Sequence, residues 1–338
     1  MLGQRTLLAR RALLQAVASG AAIVPSMAAR AAITWKEWTL YSSQPRSDPA
    51  PMATLTRLAD EMPRRTDQTL YVAVKAAGSL PIRSTAVSAA VAEGRVELGD
   101  DIYFVATLPA AGSLRLPGLV VSDDDLRAAL PIQKTLLDTL YAKSKVMLLG
   151  YYVTPPQIIF TLRKVDGIDG LRGMVIRTTT PEQKEAVYRL GAVGVSMVAE
   201  DVAAALDDGR LHGVFGTAVS AGRPWVGRLN FGCRITPLRS DGVIVANRAA
   251  MAALPKATAD TVSKFGADVA TALTNDLAAA ETAAMAELTA GGFHMTAPRP
   301  DDLVAATRRL APFWEAITSA RGKDASDILA TLRLELNR

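Results

Sequence analysis

The hydrophobic pattern of the chain changes repeatedly between strand-like and helix-like segments. Residues 34–41 (TWKEWTLY) are rich in aromatic and β-branched residues, and residues 70–76 (LYVAVKA) form the apolar run of a buried strand. Between them, residues 50–62 place apolar side chains at helical spacing. A second helix at about 84–92 and a short strand at 95–98 follow. This order predicts a parallel sheet with right-handed crossovers.

The same order of elements returns in the middle of the chain. Residues 173–177 (GMVIR) predict a strand, and the next helix begins with Thr180 as N-cap, Pro181 at the first helical position and Gln183 as the capping-box residue. The unit continues with a strand at 195–198, a helix at 200–208 and an apolar run at 211–215. The sequence therefore contains two α/β units in tandem.

A long helix dominates the last third of the sequence. Residues 255–288 carry one apolar stripe without a heptad seam, and Gly291 and Gly292 follow it. We expect a helix of this length to lie across two lobes. Because 338 residues exceed what one ordinary core holds, the pattern predicts an α/β protein of two lobes.

The first 31 residues have the features of a signal peptide. Arg5, Arg10 and Arg11 precede a modest apolar run, and the segment ends in small residues around Arg30. We expect cleavage near Ala31 and export to the periplasm. The paired arginines favour twin-arginine export, and general secretory export stays an alternative. Residues 1–31 contain no cysteine, which excludes a lipid anchor at the cleavage point.

The charge of the chain argues against nucleic-acid binding. The formal net charge is +5, but removing the four arginines of the leader, which has no acidic residue, leaves +1. A nearly neutral mature protein has little electrostatic attraction for phosphate groups. We therefore expect no nucleic-acid partner.

Several residue types that enzymes need are missing or misplaced. His212 and His294 form no H-E-x-x-H pair, and no G-x-S-x-G motif occurs. The glycines at 167, 170 and 173 precede a strand instead of following one, unlike a dinucleotide-binding turn. The acidic run 123–125 lacks calcium-loop spacing and predicts a helix cap, and the single Cys233 cannot form an internal disulfide. We expect no enzyme activity, no metal and no cofactor.

One part of the sequence resembles a known family. Residues 167–177 (GIDGLRGMVIR), the turn 190–192 (LGA) and residues 197–214 (MVAEDVAAALDDGRLHGV) are similar to the extracytoplasmic solute receptors of TRAP transporters, the DctP type. Residues 93–98 (EGRVEL) and 148–150 (LLG) and the long late helix agree with the same family. The resemblance covers most of the chain after the leader.

The resemblance implies a fold, a function and partners. The fold is a two-lobe periplasmic-binding-protein fold, type II-like, with the long late helix spanning both lobes. One lobe would comprise residues 32–153 plus about 242–280, and the other residues 154–241 plus about 281–338. Such receptors close over a small organic acid and deliver it to a two-subunit membrane permease. We expect a monomer, and a dimer stays an alternative.

The conserved arginine of the family falls on Arg177. This residue ends a predicted parallel strand, and ligands of open α/β sheets bind beyond the carboxyl ends of the strands. A planar guanidinium suits a bidentate pair with a carboxylate, and the helix N-terminus at Thr180 adds positive potential. We therefore expect Arg177 to bind a ligand carboxylate. An interlobe or exposed ion pair is the alternative role for this arginine.

The remaining family pattern is incomplete, which alters the predicted pocket. Many members have a second arginine where this chain has residues 154–157 (TPPQ), and an asparagine where it has residues 216–217 (GT). The further candidates for ligand contact are Gln44, Tyr103, Gln157, Phe215, Gly216, Thr217 and Trp225. Core packing is an equal alternative for the aromatic residues. Arg234 and Arg239 are candidates for a second positive charge, or are simply solvated. One arginine among aromatics suits a monocarboxylate with an apolar or aromatic body.

Two related functions stay open at this point. A binding protein for an ABC importer, or one that presents its ligand to a membrane sensor, would follow the same fold logic. Only the motif of residues 167–213 favours the TRAP assignment.

Overall fold

The computed structural model describes residues 35–46 and 49–338. The predicted leader lies outside the described residues. Within those residues, no helix combines the length and the apolar character needed to cross a membrane.

The strands are β1 Lys36–Pro45, β2 Leu70–Ala77, β3 Leu98–Asp101, β4 Val146–Val153, β5 Gln157–Thr161, β6 Val175–Arg177, β7 Val193–Val195, β8 Gly213–Gly216, β9 Phe231–Leu238, β10 Asp241–Asn247 and β11 His294–Thr296. The α-helices are α1 Pro49–Ala59, α2 Met62–Arg65, α3 Val87–Ala92, α4 Asp123–Ala142, α5 Pro181–Arg189, α6 Ala199–Asp207, α7 Arg248–Ala252, α8 Lys256–Ala290, α9 Pro300–Arg321 and α10 Lys323–Glu335.

The first sheet has the order β2-β1-β3-β10-β4. β1 is parallel to β2 and β3, as predicted, whereas β10 is antiparallel to both of its neighbours. One face packs on α1 and α8 through Leu40, Leu98 and Phe265, and the other packs on α3 through Val91 and Val245. β2 was predicted to be buried, but it is an edge strand and its Tyr71 is exposed.

The second sheet has the order β11-β9-β5-β8-β6-β7. The tandem unit predicted from the sequence forms its parallel part, because β6 pairs in parallel with both β7 and β8. β5 is antiparallel to β8 and β9. Apolar cores cover both faces, with Phe160 and Val214 in one core and Ile159 and Phe215 in the other.

Two short segments connect the sheets. Residues 154–156 join β4 to β5, Arg239 and Ser240 join β9 to β10, and the Thr154 amide donates to the Ser240 carbonyl at 2.9 Å. α8 contacts α1 and β4 along its length and also residues 218–222 beyond β8. The predicted lobe boundaries stay a prediction, and α10, which they assign to the second lobe, packs on α4.

The structure moves some predicted elements by a few residues. The strand predicted at 95–98 is Leu98–Asp101, since Leu98 is the first residue of this segment to pair with β1, opposite Leu40. The strand predicted at 195–198 is Val193–Val195, since Val193 pairs with Val175. The long late helix is confirmed as α8, and it ends at Ala290.

Candidate ligand-binding cleft

The ends of strands from both sheets meet at one cleft. Ile102 follows β3, Thr179 follows β6, and Thr217 follows β8. Two adjoining cavities of about 230 and 390 Å³ occupy the cleft and share Ile102, Gln157 and Ser240 as lining residues. Because ligands of open α/β sheets bind beyond the strand ends, this cleft is the candidate site.

Gln157 lies at the centre of the cleft, where its amide is held from two sides. Its Nε2 donates to Ser240 Oγ at 3.0 Å, and its Oε1 accepts from Gln183 Nε2 at 2.5 Å. Gln183 belongs to the first turn of α5 and is fully buried. The predicted contact residue Gln157 is therefore fixed by its neighbours before any ligand arrives.

Arg177 ends β6, two residues before Thr179 of the larger cavity, and lines neither cavity itself. Its Nε donates to the Met197 carbonyl at 3.0 Å, and its guanidinium stacks over the Trp225 ring at 5.6 Å. Burial lowers the pKa of Arg177 from its ordinary value, and the nearby charge of Glu200 opposes this. Among the described residues, no carboxylate lies within ion-pair distance of Arg177, and its terminal nitrogens have no hydrogen-bond partner. A half-buried guanidinium in this state has its bidentate edge available for a carboxylate.

The first turn of α5 lines the larger cavity. Thr180 is the N-cap, and its Oγ1 accepts from the Gln183 amide at 3.2 Å. The predicted capping box is wrong in its second half, because the Gln183 side chain accepts from Thr179 and not from the N-cap amide. Glu182 also lines this cavity and pairs with Arg321 of α9 at 3.0 Å.

The other predicted contact residues divide into two groups. Gln44, Tyr103 and Thr217 line the cavities. Phe215 is 2% exposed and packs in the core, Gly216 is buried, and Trp225 is 6% exposed and stacks under Arg177. The position of Phe215 therefore does not support ligand contact, and the ring of Trp225 faces the guanidinium of Arg177.

One arginine of the cleft was missed by the sequence analysis. Arg115 lines the larger cavity, and its Nε donates to Asp241 Oδ1 at 2.5 Å. The other oxygen of Asp241 accepts from the Tyr151 hydroxyl at 2.7 Å, and the Arg115 guanidinium stacks over Phe104. Asp241 neutralises Arg115, so this arginine does not replace the absent second arginine. Its partner is 126 residues away in sequence, and no local pattern reveals such a pair.

The two arginines suggested as a second positive charge face another cavity. Arg234 and Arg239 line a space of about 860 Å³ together with Pro156 and α8. Arg239 pairs there with Asp123 at the start of α4. Ser240, the next residue, lines the cleft instead. Because successive side chains of an extended segment point to opposite sides, Arg239 lies behind the connecting segments.

Two buried carboxylates support the cleft from the side of the first sheet. Asp100 accepts from Ser42 Oγ at 2.6 Å and from the Tyr152 hydroxyl at 2.8 Å. Asp101 accepts from the Ser88 hydroxyl at 2.6 Å. Burial raises the pKa of Asp100 to about 6, although the hydrogen bonds from Ser42 and Tyr152 lower it. These contacts fix the ends of β1, β3 and β4 relative to one another.

No family model and no curated protein sequence matches the chain. Solved structures do match it. A TRAP periplasmic solute-binding protein from Ochrobactrum anthropi aligns with a TM-score of 0.78 at 15% identity, covering 90% of this chain and 96% of that one. The chain has the fold of the TRAP transporter solute receptors. The extracytoplasmic solute receptor DctP6 of Bordetella pertussis gives a TM-score of 0.73 at 18% identity, covering 88% of this chain and 100% of that one.

A third structure is similar to the same extent. The TRAP solute-binding protein of Ralstonia eutropha H16 gives a TM-score of 0.72 at 18% identity, with 89% and 98% of the two chains covered. These matches confirm the predicted two-lobe α/β fold and the resemblance found in the sequence. The DctP6 structure is described as binding pyroglutamic acid, and the Ralstonia protein contains bound (S)-2-acetolactate.

Proposed function

We propose that this protein is the solute receptor of a TRAP-type transport system. It captures a small carboxylic acid in the cleft and delivers it to a membrane permease. Exported by its leader, it acts in the periplasm and performs no chemistry on the ligand. Pyroglutamate and 2-acetolactate, the acids bound by the similar receptors, belong to the ligand class that we propose here.

The proposal rests on the state of Arg177. Trp225 and the Met197 carbonyl hold its guanidinium, while no described acid neutralises it. An arginine that is already held in place, with a free edge, binds a carboxylate at a smaller ordering cost. Arg177 stands at the end of β6, which is the position at which the family motif in the sequence places its arginine. Closure of the two halves would bring this guanidinium over the ligand held at Gln157.

Gln157, Thr217 and Tyr103 define the rest of the proposed pocket. The two cavities, of about 230 and 390 Å³, offer room for a small organic acid, and the guanidinium of Arg177, which has no ion-pair partner among the described residues, stands two residues before Thr179 of the larger one. These features favour one carboxylate with an uncharged body over a dicarboxylate. A ligand that bridges both halves stabilises the closed form by its higher affinity for that form.

The test is ligand binding by the wild-type protein and by Arg177→Ala. Thermal-shift screening of the mature protein against pyroglutamate, 2-acetolactate, glucuronate and simple 2-oxo acids should reveal a ligand, since about 100 Kd of ligand adds about 2.7 kcal/mol to stability. Losing one member of a buried charge pair costs about 2–5 kcal/mol, which is roughly thirty-fold to several thousand-fold in affinity. Arg177→Lys should recover only part of this loss.

Arg172→Ala provides a matched control. Arg172 lies in the same segment, but its side chain is 77% exposed and pairs only with the exposed Asp169. This variant should bind like the wild type. Equal affinity of wild type and Arg177→Ala for the identified acid would refute the role of Arg177. Stabilisation by neutral sugars or amines alone would refute the proposed ligand class.

A further inference from the structure

Each hydrogen bond around Gln157 has a donor side and an acceptor side, and a backbone amide determines which is which. The Thr179 amide lies 2.7 Å from Gln183 Oε1, and the Thr179 hydroxyl lies 3.1 Å from the same atom. A backbone N–H can only donate, so the atom that faces it must be the amide oxygen of Gln183. The orientation of the Gln183 side chain is therefore set by the main chain.

The orientation passes from Gln183 to Gln157. With its oxygen turned to Thr179, the Gln183 amide presents Nε2 to Gln157 at 2.5 Å. This nitrogen can only donate, so Gln157 must present its oxygen to Gln183 and its NH₂ group to the other side. There, Ser240 Oγ accepts one of the two protons at 3.0 Å. Gln183 is fully buried, so water does not compete for these bonds.

We propose that Gln183 is a positioning residue that fixes Gln157 as a hydrogen-bond donor toward the ligand. This inference rests on the proposed function. Gln157 lines both cavities, and the second proton of its NH₂ group has no partner among the described residues. The centre of the cleft therefore selects a ligand atom that accepts, such as a carboxylate, carbonyl or ether oxygen. It discriminates against an ammonium or another pure donor at this point.

The proposal predicts that the polarity can be reversed by one isosteric change. In Gln183→Glu, measured at a pH at which the new carboxyl group is ionised, the carboxylate accepts from Thr179 with one oxygen and offers only an acceptor to Gln157. Gln157 must then rotate its amide, which turns its oxygen toward Ser240 and the cleft. The Ser240 hydroxyl can donate as well as accept, so it tolerates the reversal. The ligand then faces the Gln157 oxygen, which is an acceptor, instead of the Gln157 NH₂ group, which is a donor.

The first measurement needs no ligand. In protein labelled with ¹⁵N-glutamine, nuclear Overhauser contacts of the Gln157 NH₂ protons report their neighbour. We expect contacts to the Ser240 β-protons in the wild type and, in Gln183→Glu, to the γ-protons of the substituted side chain. Gln183→Met, which lacks charge and hydrogen bonds, is the second variant if the first substitution impairs folding, and it should show both orientations. A Gln157 NH₂ group that faces residue 183 in the wild type would overturn the proposal.

The second measurement is binding of pyroglutamate by calorimetry. We expect roughly ten- to hundred-fold weaker binding in Gln183→Glu, the effect of a lost hydrogen bond to a charged group. In a Gln157→Met background, which has no amide to rotate, Gln183→Glu should have at least a several-fold smaller effect. An equal effect in both backgrounds would show that the introduced carboxylate acts by its charge. That result would overturn the proposed positioning role of Gln183. If the wild type binds no acid, the proposed function fails, whereas the amide orientation is still decided by the first measurement.

Discussion

Replacing Gly266 by alanine tests how closely α8 approaches the first sheet. In the middle of a helix this change ordinarily stabilises a protein by about 0.5–1 kcal/mol. Here a Cβ atom at Gly266 would lie 2.2 Å from Leu149 Cβ in β4, which is roughly 1.5 Å less than an ordinary carbon contact. The reciprocal approach is equally close, since a Cβ at Gly150 would lie 2.4 Å from the Gly266 carbonyl oxygen. Because both partners are rigid, α8 has to move away from β4, and overpacking of this kind costs about 1–3 kcal/mol.

This prediction is easy to test, because close packing makes the substitution lower the stability whereas helix propensity alone would raise it. We expect Gly266→Ala to lower the Tm by roughly 2–10 °C in calorimetry, with a matching loss in urea unfolding. Ala267→Gly is the matched control, because Ala267 is the exposed next residue of the same helix and should lose about 1 kcal/mol through helix propensity alone. A Gly266→Ala protein that gains the stability that Ala267→Gly loses would refute the close packing of α8 on β4.

Two further predictions concern the buried charges beneath the cleft. Burial raises the pKa of Asp100 to about 6, so between about pH 4 and pH 6 the folded protein retains a proton that the unfolded chain has released. The free energy of unfolding of the wild type, relative to that of Asp100→Asn, should therefore fall by about 2–3 kcal/mol as the pH rises through this range. Above this range the difference should stay constant. Identical pH profiles of the two proteins in urea unfolding would contradict the prediction. Arg115→Met leaves Asp241, whose side chain is 2% exposed, without its cation, and should cost about 3–5 kcal/mol in the same assay at neutral pH; an unchanged urea midpoint would show that the pair is not buried as described.

Local signals in the sequence were sufficient to place several elements. The helix start at Thr180 and Pro181 and the helix α8 appear where the pattern predicts them, because caps, prolines and an apolar stripe act over a few residues. The strands at 95–98 and 195–198 were displaced by about three residues. Strand ends depend on pairing with distant partners, and neither Leu98 nor Val193 reveals its partner by its sequence neighbours.

The aromatic candidates show why the composition of the pocket was harder to predict. β8 is buried on both faces, so Val214 enters one core and Phe215 enters the other. Of the predicted residues 215–217, only Thr217, beyond the end of the strand, lines the cleft. The sequence includes Thr217 among the candidates, but no local pattern separates it from Phe215 and Gly216, which stay buried. The sequence predicts Gln183 only as a local capping residue, but its side-chain amide also donates a hydrogen bond to Gln157, which is 26 residues away.

The charges around the cleft favour one orientation of a bound carboxylate. On the first-sheet side, the carboxylates of Asp100, Asp101 and Asp241 accompany a single cation, Arg115, and their oxygens are occupied by internal donors. That side therefore carries excess negative charge. On the second-sheet side, Arg177 is unpaired among the described residues. Glu281 lines the smaller cavity and accepts from the Ala218 and Val219 amides, so it disfavours a carboxylate in that part of the cleft. Attraction to Arg177 and repulsion from these acids together favour a carboxylate that lies toward the end of β6. The opposite end of the ligand then faces the first-sheet side and should carry no negative charge.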